Sequence, residues 1–373
     1  MDRRFAALVA ATALIAMACS GSPGGTPSPS VAAPSAAVEE PSVEAPSAAV
    51  EEPSVAVEEP SVTVEEPSQV AGGGSGAVGT LEGVQQATIQ IEADGSFIDP
   101  IEGQFFNAAG RGSGVIIDPS GLALTANHVV TGAAALKVWI GGDRNKTYNA
   151  RVVAASECSD IAVIQIAASD LPFLDWYPDA PSVGLDVYAA GFPLGDPEYT
   201  LNRGIVSKAK ADGESSWSSV DSVIEHDALI NPGNSGGPLV TKDGLLVGID
   251  YAGNNVGQSF AIGRGEVDRV LPELLAGNGV TWIGVNGEAI SVGDFTGVWV
   301  AAVESGSPAD TVGIRGGDII TKLEGLVLAT DGTMADYCDV LRSRRSTDTM
   351  AVEVLRTGTG QILEGQLNGR TLQ

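Results

Sequence analysis

The 373 residues carry 20 Lys+Arg against 47 Asp+Glu, a formal net charge of -27. So acidic a balance excludes the basic, phosphate-neutralising surface that nucleic-acid binding requires. Hydrophobic residues at 43% suffice for two sizeable cores at roughly 150 residues per domain, and 48 Gly fit short strands joined by tight turns. Three Cys (Cys19, Cys158, Cys338) and two His (His128, His226) supply neither a disulfide framework nor a metal-ligand cluster, so no metal and no cofactor is expected.

At the N-terminus, Arg3 and Arg4 precede an apolar run from Phe5 to Met17, then Ala18 and Cys19. A charged start and an apolar stretch too short to span a bilayer make residues 1–18 a signal peptide. Ala16-Met17-Ala18-Cys19 resembles the lipobox of bacterial lipoproteins, which implies acylation of Cys19 and membrane attachment through lipid. Leu is usual where Ala16 stands, so ordinary cleavage after Ala18 is the alternative. Residues 19–78 are a stalk of Ser, Pro, Gly, Ala, Val and Glu with no Lys or Arg beyond Ser20. Ala-Pro-Ser-Ala-Ala-Val-Glu-Glu-Pro-Ser-Val starts at Ala33 and again at Ala45, and Val-Glu-Glu-Pro-Ser recurs at Val57 and Val64. Such Pro density forbids helix, self-repelling Glu favours extension, and the repeats are too polar to stack, so the reading is a disordered spacer.

Beyond Gly79 the pattern changes to short apolar runs. Val115-Ile116-Ile117, Leu122 to Thr125, Ile161 to Ile164 and Leu245 to Ile249 read as strands, with Asp118-Pro119-Ser120-Gly121 as a turn between the first two. Strand density over residues 79–278 suggests an antiparallel barrel or sandwich. Residues 279–373 form a smaller α+β unit, with a helix near Met334 to Arg345 and a strand from Met350 to Leu355.

One constellation carries chemistry. Asn231-Pro232-Gly233-Asn234-Ser235-Gly236-Gly237-Pro238 sets a Ser in a Gly-rich turn, where small neighbours admit a substrate carbonyl and let backbone N–H groups face it. Ser needs a base to become a nucleophile. Only His128 and His226 offer imidazole; His128 closes the run from Leu124, and Asp160 heads Asp160-Ile161-Ala162-Val163-Ile164 as its orienting carboxylate. The chain order is His, Asp, Ser.

These segments, with Gly112-Ser113-Gly114-Val115-Ile116, Gly191-Phe192-Pro193-Leu194-Gly195, Gly204-Ile205-Val206-Ser207 and Ser259-Phe260-Ala261-Ile262, together resemble the bacterial HtrA/Deg family of serine proteases. Ser307-Pro308-Ala309, Gly313-Ile314 and Gly316-Gly317-Asp318-Ile319-Ile320 resemble that family's PDZ domain. The resemblance implies a mainly β protein: a chymotrypsin-like double β-barrel, then one PDZ domain. It implies that Ser235 attacks the scissile carbonyl, His128 moves the proton, Asp160 orients His128, and the Gly233 and Ser235 N–H groups form the oxyanion hole.

By family position Leu229, six residues before Ser235, floors the S1 pocket, with Tyr251 and Ala252 as a wall. Leu229 offers no carboxylate to a basic side chain, so cleavage after aliphatic residues is expected; the alternative is that Asp250 reaches the pocket and attracts Lys or Arg. Asp250 stands where the family usually carries Asn, and a second carboxylate near Asp160 would raise a pKa or demand a compensating donor. His226, where Thr is usual, reads as structural or surface. Trp282-Ile283-Gly284-Val285 matches the PDZ carboxylate loop for peptide C-termini, with Tyr337, Val340 and Leu341 closing the groove. Cys158 and Cys338, in different domains, are expected to be unpaired and buried.

The expected partners are misfolded or unstructured proteins, peptide C-termini and the membrane through the lipid anchor, with no nucleic acid; a homotrimer follows by family analogy alone. The expected place is the bacterial cell envelope, outside the cytoplasm. Two functions compete: a serine endopeptidase, and an idle PDZ adaptor or chaperone that retains the protease fold.

Overall fold

Alternating apolar residues from Thr88 onward build a barrel in the computed structural model, which describes residues 76–99, 103–254, 256–292 and 295–373. The expected signal peptide, Cys19 and nearly all of the expected stalk lie outside the described residues, and among the described residues no helix is long and apolar enough to cross a membrane. A short β1 (Ala77–Val78) and a one-turn α1 (Val84–Ala87) lead into the barrel. Its strands are β2 (Thr88–Asp99), β3 (Gly103–Ile116), β4 (Leu122–Ala126), β5 (Ala133–Ile140), β6 (Tyr148–Ser156) and β7 (Ile161–Ile166), closed in the order β2-β3-β4-β7-β6-β5. One turn of helix, α2 (Asn127–Val130), joins β4 to β5. Ile89, Ile91, Val138 and Ile164, all without solvent exposure, fill the interior. The expected turn after β3 forms as read: Gly121 donates its N–H to Asp118 O at 3.0 Å. Its φ of +91°, and the collision a Cβ would make with Ala168 O at 2.6 Å, require glycine there.

After β8 (Phe173–Leu174), which pairs in parallel with β1, a second barrel follows. Its strands are β9 (Asp186–Gly191), β10 (Thr200–Glu214), β11 (Ser219–His226), β12 (Pro238–Val240), β13 (Leu246–Gly253) and β14 (Ser259–Gly263), closed as β10-β11-β14-β13-β12-β9. Closure leaves neither sheet a free edge. Then α3 (Arg264–Leu275) buries Val267, Val270 and Leu274, one helical stripe at spacings of three and four residues.

The third sheet comprises β15 (Val285–Val292), β16 (Phe295–Val303), β17 (Asp318–Leu323), β18 (Leu326–Val327), β19 (Met350–Arg356) and β20 (Gln361–Leu367). Two helices, α4 (Pro308–Val312) and α5 (Ala335–Arg342), pack on it; Ser307 caps α4 by accepting the Asp310 N–H. Asn286 donates its side-chain amide to His128 O at 3.0 Å, Trp299 its indole N–H to Ile98 O at 2.7 Å, and Met334 its N–H to Ser215 O at 3.0 Å. This third unit is therefore hydrogen-bonded to the two barrels at several separate points.

One expectation is overturned. Cys158 and Cys338 form a disulfide, their Cα atoms 5.7 Å apart across 180 residues of sequence. Separation in sequence misled: α5 packs against the turn that follows β6, which brings the two thiols side by side.

Candidate active site

His128 sits on α2, where the turn after β4 presents both its backbone and its ring to Asp160. The backbone N–H of His128 donates to Asp160 Oδ1 at 2.9 Å and Nδ1 meets Asp160 Oδ2 at 2.7 Å, while Asn127 N–H donates to Asp160 O at 3.1 Å. With the carboxylate accepting, Nδ1 carries the proton and Nε2 is the free base. Burial alone would push the imidazole's pKa down, but its side chain keeps 29% exposure; the charge of Asp160 and the hydrogen bond to it prevail and raise the value above 6.5.

Ser235 stands in the loop between β11 and β12, pinned from several sides. Ser113 donates its N–H to Ser235 O at 2.9 Å and its hydroxyl to Gly233 O at 2.8 Å, and accepts the Phe192 N–H at 2.9 Å. Gly236 donates to Asp250 O at 2.7 Å; at its φ of +86°, a Cβ would collide with Ser113 O. Two donors in this loop, the Gly233 and Ser235 N–H groups, meet no acceptor among the described residues. The Ser235 hydroxyl donates at 3.5 Å to Tyr251 O rather than to His128.

A cleft of about 700 Å³ opens over these groups. Its lining includes His128, Ser235, Leu229, Tyr251 and Ala252, together with Glu288 and Trp299 from the third sheet. Leu229 is 57% exposed, which is the exposure of a groove wall and not of a closed pocket floor. Asp250 does not line the cleft: it is fully buried, with Oδ1 3.0 Å from His226 Nε2, itself fully buried. His226 is thus the compensating donor for the unusual carboxylate, and a surface role for it is excluded. Burial raises the Asp250 pKa, with His226 opposing. No group of metal-ligating side chains occurs among the described residues.

The loop 282–285 does gather convergent N–H donors. Gly284, with φ +89° and no room for a Cβ against Ser307, turns them inward. Their acceptor comes from the first barrel. Glu157 Oε1 accepts from Ile283 at 3.0 Å, Gly284 at 2.6 Å and Val285 at 2.9 Å, and the Tyr337 hydroxyl donates to Oε2 at 2.6 Å. Burial pushes the Glu157 carboxyl up to about 7, against the pull of those four donors. Leu341 is buried beside Tyr337 and Val340 half-buried; Trp282 begins the loop half-buried. The sequence reading found the loop but missed Glu157, since no spacing signal links residues 126 to 128 positions apart. It also missed Ser113 as the brace behind the Ser235 loop.

Two closed six-stranded barrels with Ser, His and Asp between them, followed by a sheet with a carboxylate loop, define the class: a mainly β chain with a chymotrypsin-like protease domain and a PDZ domain. The family model of the trypsin-like peptidase domain matches residues 112–249, and that of the PDZ domain residues 299–353. A serine protease Do-like HtrA of Lactobacillus helveticus is 32% identical over 289 residues, 69% of this chain and 68% of that protein. The protein of the same name in Bacillus subtilis is 34% identical over 280 residues, 67% of this chain and 62% of the relative. A probable periplasmic serine endoprotease, DegP-like, of Marinomonas is 33% identical over 276 residues, covering 69% and 57%. The chain belongs to the HtrA family of serine proteases. It spans less than two thirds of the length of the Bacillus and Marinomonas relatives.

Proposed function

We propose that this chain is an exported serine endopeptidase that cuts misfolded or unstructured proteins of the cell envelope. The observation that carries the reading is the His128 ring held by Asp160 at 2.7 Å beside Ser235, whose loop leaves two N–H groups free. Ser235 Oγ, once rotated from Tyr251 O towards Nε2, attacks the scissile carbonyl as His128 takes its proton. The carbonyl oxygen becomes an oxyanion held by the Gly233 and Ser235 N–H groups; losing one such donor typically costs about 10²–10³ in rate. His128 returns the proton to the leaving amine, water repeats the cycle on the acyl-enzyme, and Asp160 stabilises the imidazolium throughout.

Leu229, Tyr251 and Ala252 give the cleft beside Ser235 an apolar side, which supports cleavage after Val, Ala, Ile or Leu. The burial of Asp250 against His226 removes the carboxylate that a Lys or Arg would need. The loop 282–285 is read as a receptor for carboxylates. Cys19 is read as the lipid-anchored end of a stalk that holds residues 79–278 and 279–373, the protease and PDZ domains, outside the cytoplasm; the periplasmic name of the Marinomonas relative supports that side of the membrane.

The bond from Ser235 to Tyr251 O, at 3.5 Å, favours a second reading, an idle protease fold serving as a PDZ adaptor. Digestion of unfolded casein, with the product termini sequenced, separates the two. The peptidase reading expects cuts after aliphatic residues that vanish in Ser235→Ala, which folds like its parent. Residual cutting above a hundredth of wild type would sink Ser235 as nucleophile, no cutting by the parent would leave the adaptor, and cuts after Lys or Arg would overturn the apolar assignment.

A further inference from the structure

The PDZ carboxylate loop is already full. Three consecutive N–H groups, of Ile283, Gly284 and Val285, converge at 2.6–3.0 Å on Glu157 Oε1, and Tyr337, on the helix that flanks the groove, takes Oε2. Convergent backbone N–H donors are what such a loop offers to the carboxylate of a peptide C-terminus. Glu157 supplies that group from inside the chain and is only 3% exposed. The next residue, Cys158, is bonded to Cys338 on α5, one position after Tyr337. The covalent link therefore sits beside both the internal ligand and the helix that closes on it. Ser219 N–H donates to Cys158 O at 3.0 Å, and Arg342 Nη2 reaches Ser219 Oγ at 3.0 Å, so the same turn and helix are tied again through β11.

We propose that Glu157 is a built-in competitor for the PDZ carboxylate loop, locked in place by the Cys158–Cys338 disulfide, so that the loop receives a peptide C-terminus only after a dithiol reductant opens that bond. This rests on the reading of residues 282–285 as a carboxylate receptor. The reductant delivers two electrons and two protons: the S–S bond breaks, Cys158 and Cys338 become thiols, and the reductant closes its own disulfide. With the link intact, the competitor is held at a fixed, high effective concentration, and incoming peptide sees only the small open fraction. With the link broken, Glu157 competes through its own hydrogen bonds and those between the sheet and the barrels, without the covalent clamp.

The test uses the whole mature chain, oxidised and reduced, beside Glu157→Ala and Cys338→Ser. Two probes are applied: hydrogen exchange across residues 282–286, and retention of a peptide pool with randomised C-terminal residues, as free carboxylate and as amide. The expected result is slow exchange in the oxidised parent and faster exchange in Glu157→Ala. Carboxylate peptides should be held at least about ten-fold more tightly by the reduced parent, Cys338→Ser and Glu157→Ala than by the oxidised parent. Equal binding by oxidised and reduced parent, or exchange unchanged in Glu157→Ala, overturns the proposal. Where exchange responds to Glu157→Ala but no form prefers carboxylate to amide, the receptor reading itself fails, and the admission of a peptide with it. Circular dichroism of each variant shows that the comparison is made on folded protein, and reduction of the parent tests the lock without any substitution.

Discussion

Asp160→Asn removes a charge and keeps the shape, so it isolates what the carboxylate does for His128. Asp160 accepts twice from His128, the backbone N–H at 2.9 Å and the ring Nδ1–H at 2.7 Å. An Asn retains one acceptor and turns the other into a donor. If its oxygen keeps the backbone N–H, its NH₂ faces Nδ1, which must then be unprotonated; the proton moves to Nε2, and the ring loses the site that takes the Ser235 proton. A triad set in the wrong tautomer loses about 10⁴ in kcat, about 5 kcal/mol of transition-state stabilisation. The pH profile gives an independent signature. In the parent the charge and bond of Asp160 hold His128 above 6.5, so kcat/KM should fall on acidification with a midpoint above that value. In the variant partial burial acts alone, and the residual activity should fall with a midpoint below 6.5. The sign for stability follows from linkage. A raised imidazole pKa stabilises the fold fully below 6.5, and that contribution fades as pH rises through the folded value. Peptide hydrolysis from pH 5 to 9 decides. A variant that keeps more than a tenth of parental kcat/KM, or whose acid limb does not move, would refute the orienting role.

His226→Leu strands the Asp250 carboxylate in the second barrel and should cost about 3–5 kcal/mol, seen as a lower Tm, whereas His226→Leu with Asp250→Leu should recover most of it. The single variant should weaken further as the pH rises past the carboxylate's ordinary 3.8, because burial favours the protonated form; equal Tm for single and double variants would show that the pair is not coupled. Cys19→Ser should move the protein from the membrane fraction to the soluble exported fraction, and a mature N-terminus weighed as unmodified Cys19 would rule out acylation.

What the sequence made legible was local. The strands around Val115, Leu122 and Ile161 announced themselves as short unbroken apolar runs bounded by turn residues, and the structure buries Leu122–Ala126 and Ile161–Ile166 almost throughout. Ser235, His128 and Asp160 each lie in a short block of the sequence; His128 and Ser235 line one cleft, and Asp160 is buried behind the His128 ring. The helix expected near Met334 to Arg345 forms as Ala335–Arg342; at its C-terminal end the Asp339, Val340 and Leu341 carbonyls are taken by closing turns. The missed features are contacts between segments far apart in the chain. Nothing in the sequence singles out Glu157, and the pairing of Cys158 becomes visible only when α5 is laid against the turn that holds it. Family position likewise put Leu229 beneath the substrate, whereas its side chain is 57% exposed on the cleft lining.

That turn is where the two parts of the molecule meet. Within four residues it carries Glu157, the filler of the carboxylate loop; Cys158, the covalent tie to α5; Ser159, whose hydroxyl donates to Glu266 at the start of α3; and Asp160, the partner of His128. Asp160 N–H donates to Glu157 O at 3.2 Å, and Asp160 itself has φ +49°, a conformation that costs energy for any residue but Gly and persists only where surrounding bonds hold it. Several of those bonds run to the PDZ domain through Glu157 and Cys158. A displacement of that domain cannot leave the backbone of residues 157–160 untouched, and residue 160 is the one whose carboxylate must stay 2.7 Å from a ring nitrogen. The acceptor of the 283–285 N–H groups and the carboxylate that holds the His128 ring therefore stand three residues apart in a single tight turn, so a load on one bears directly on the backbone that positions the other.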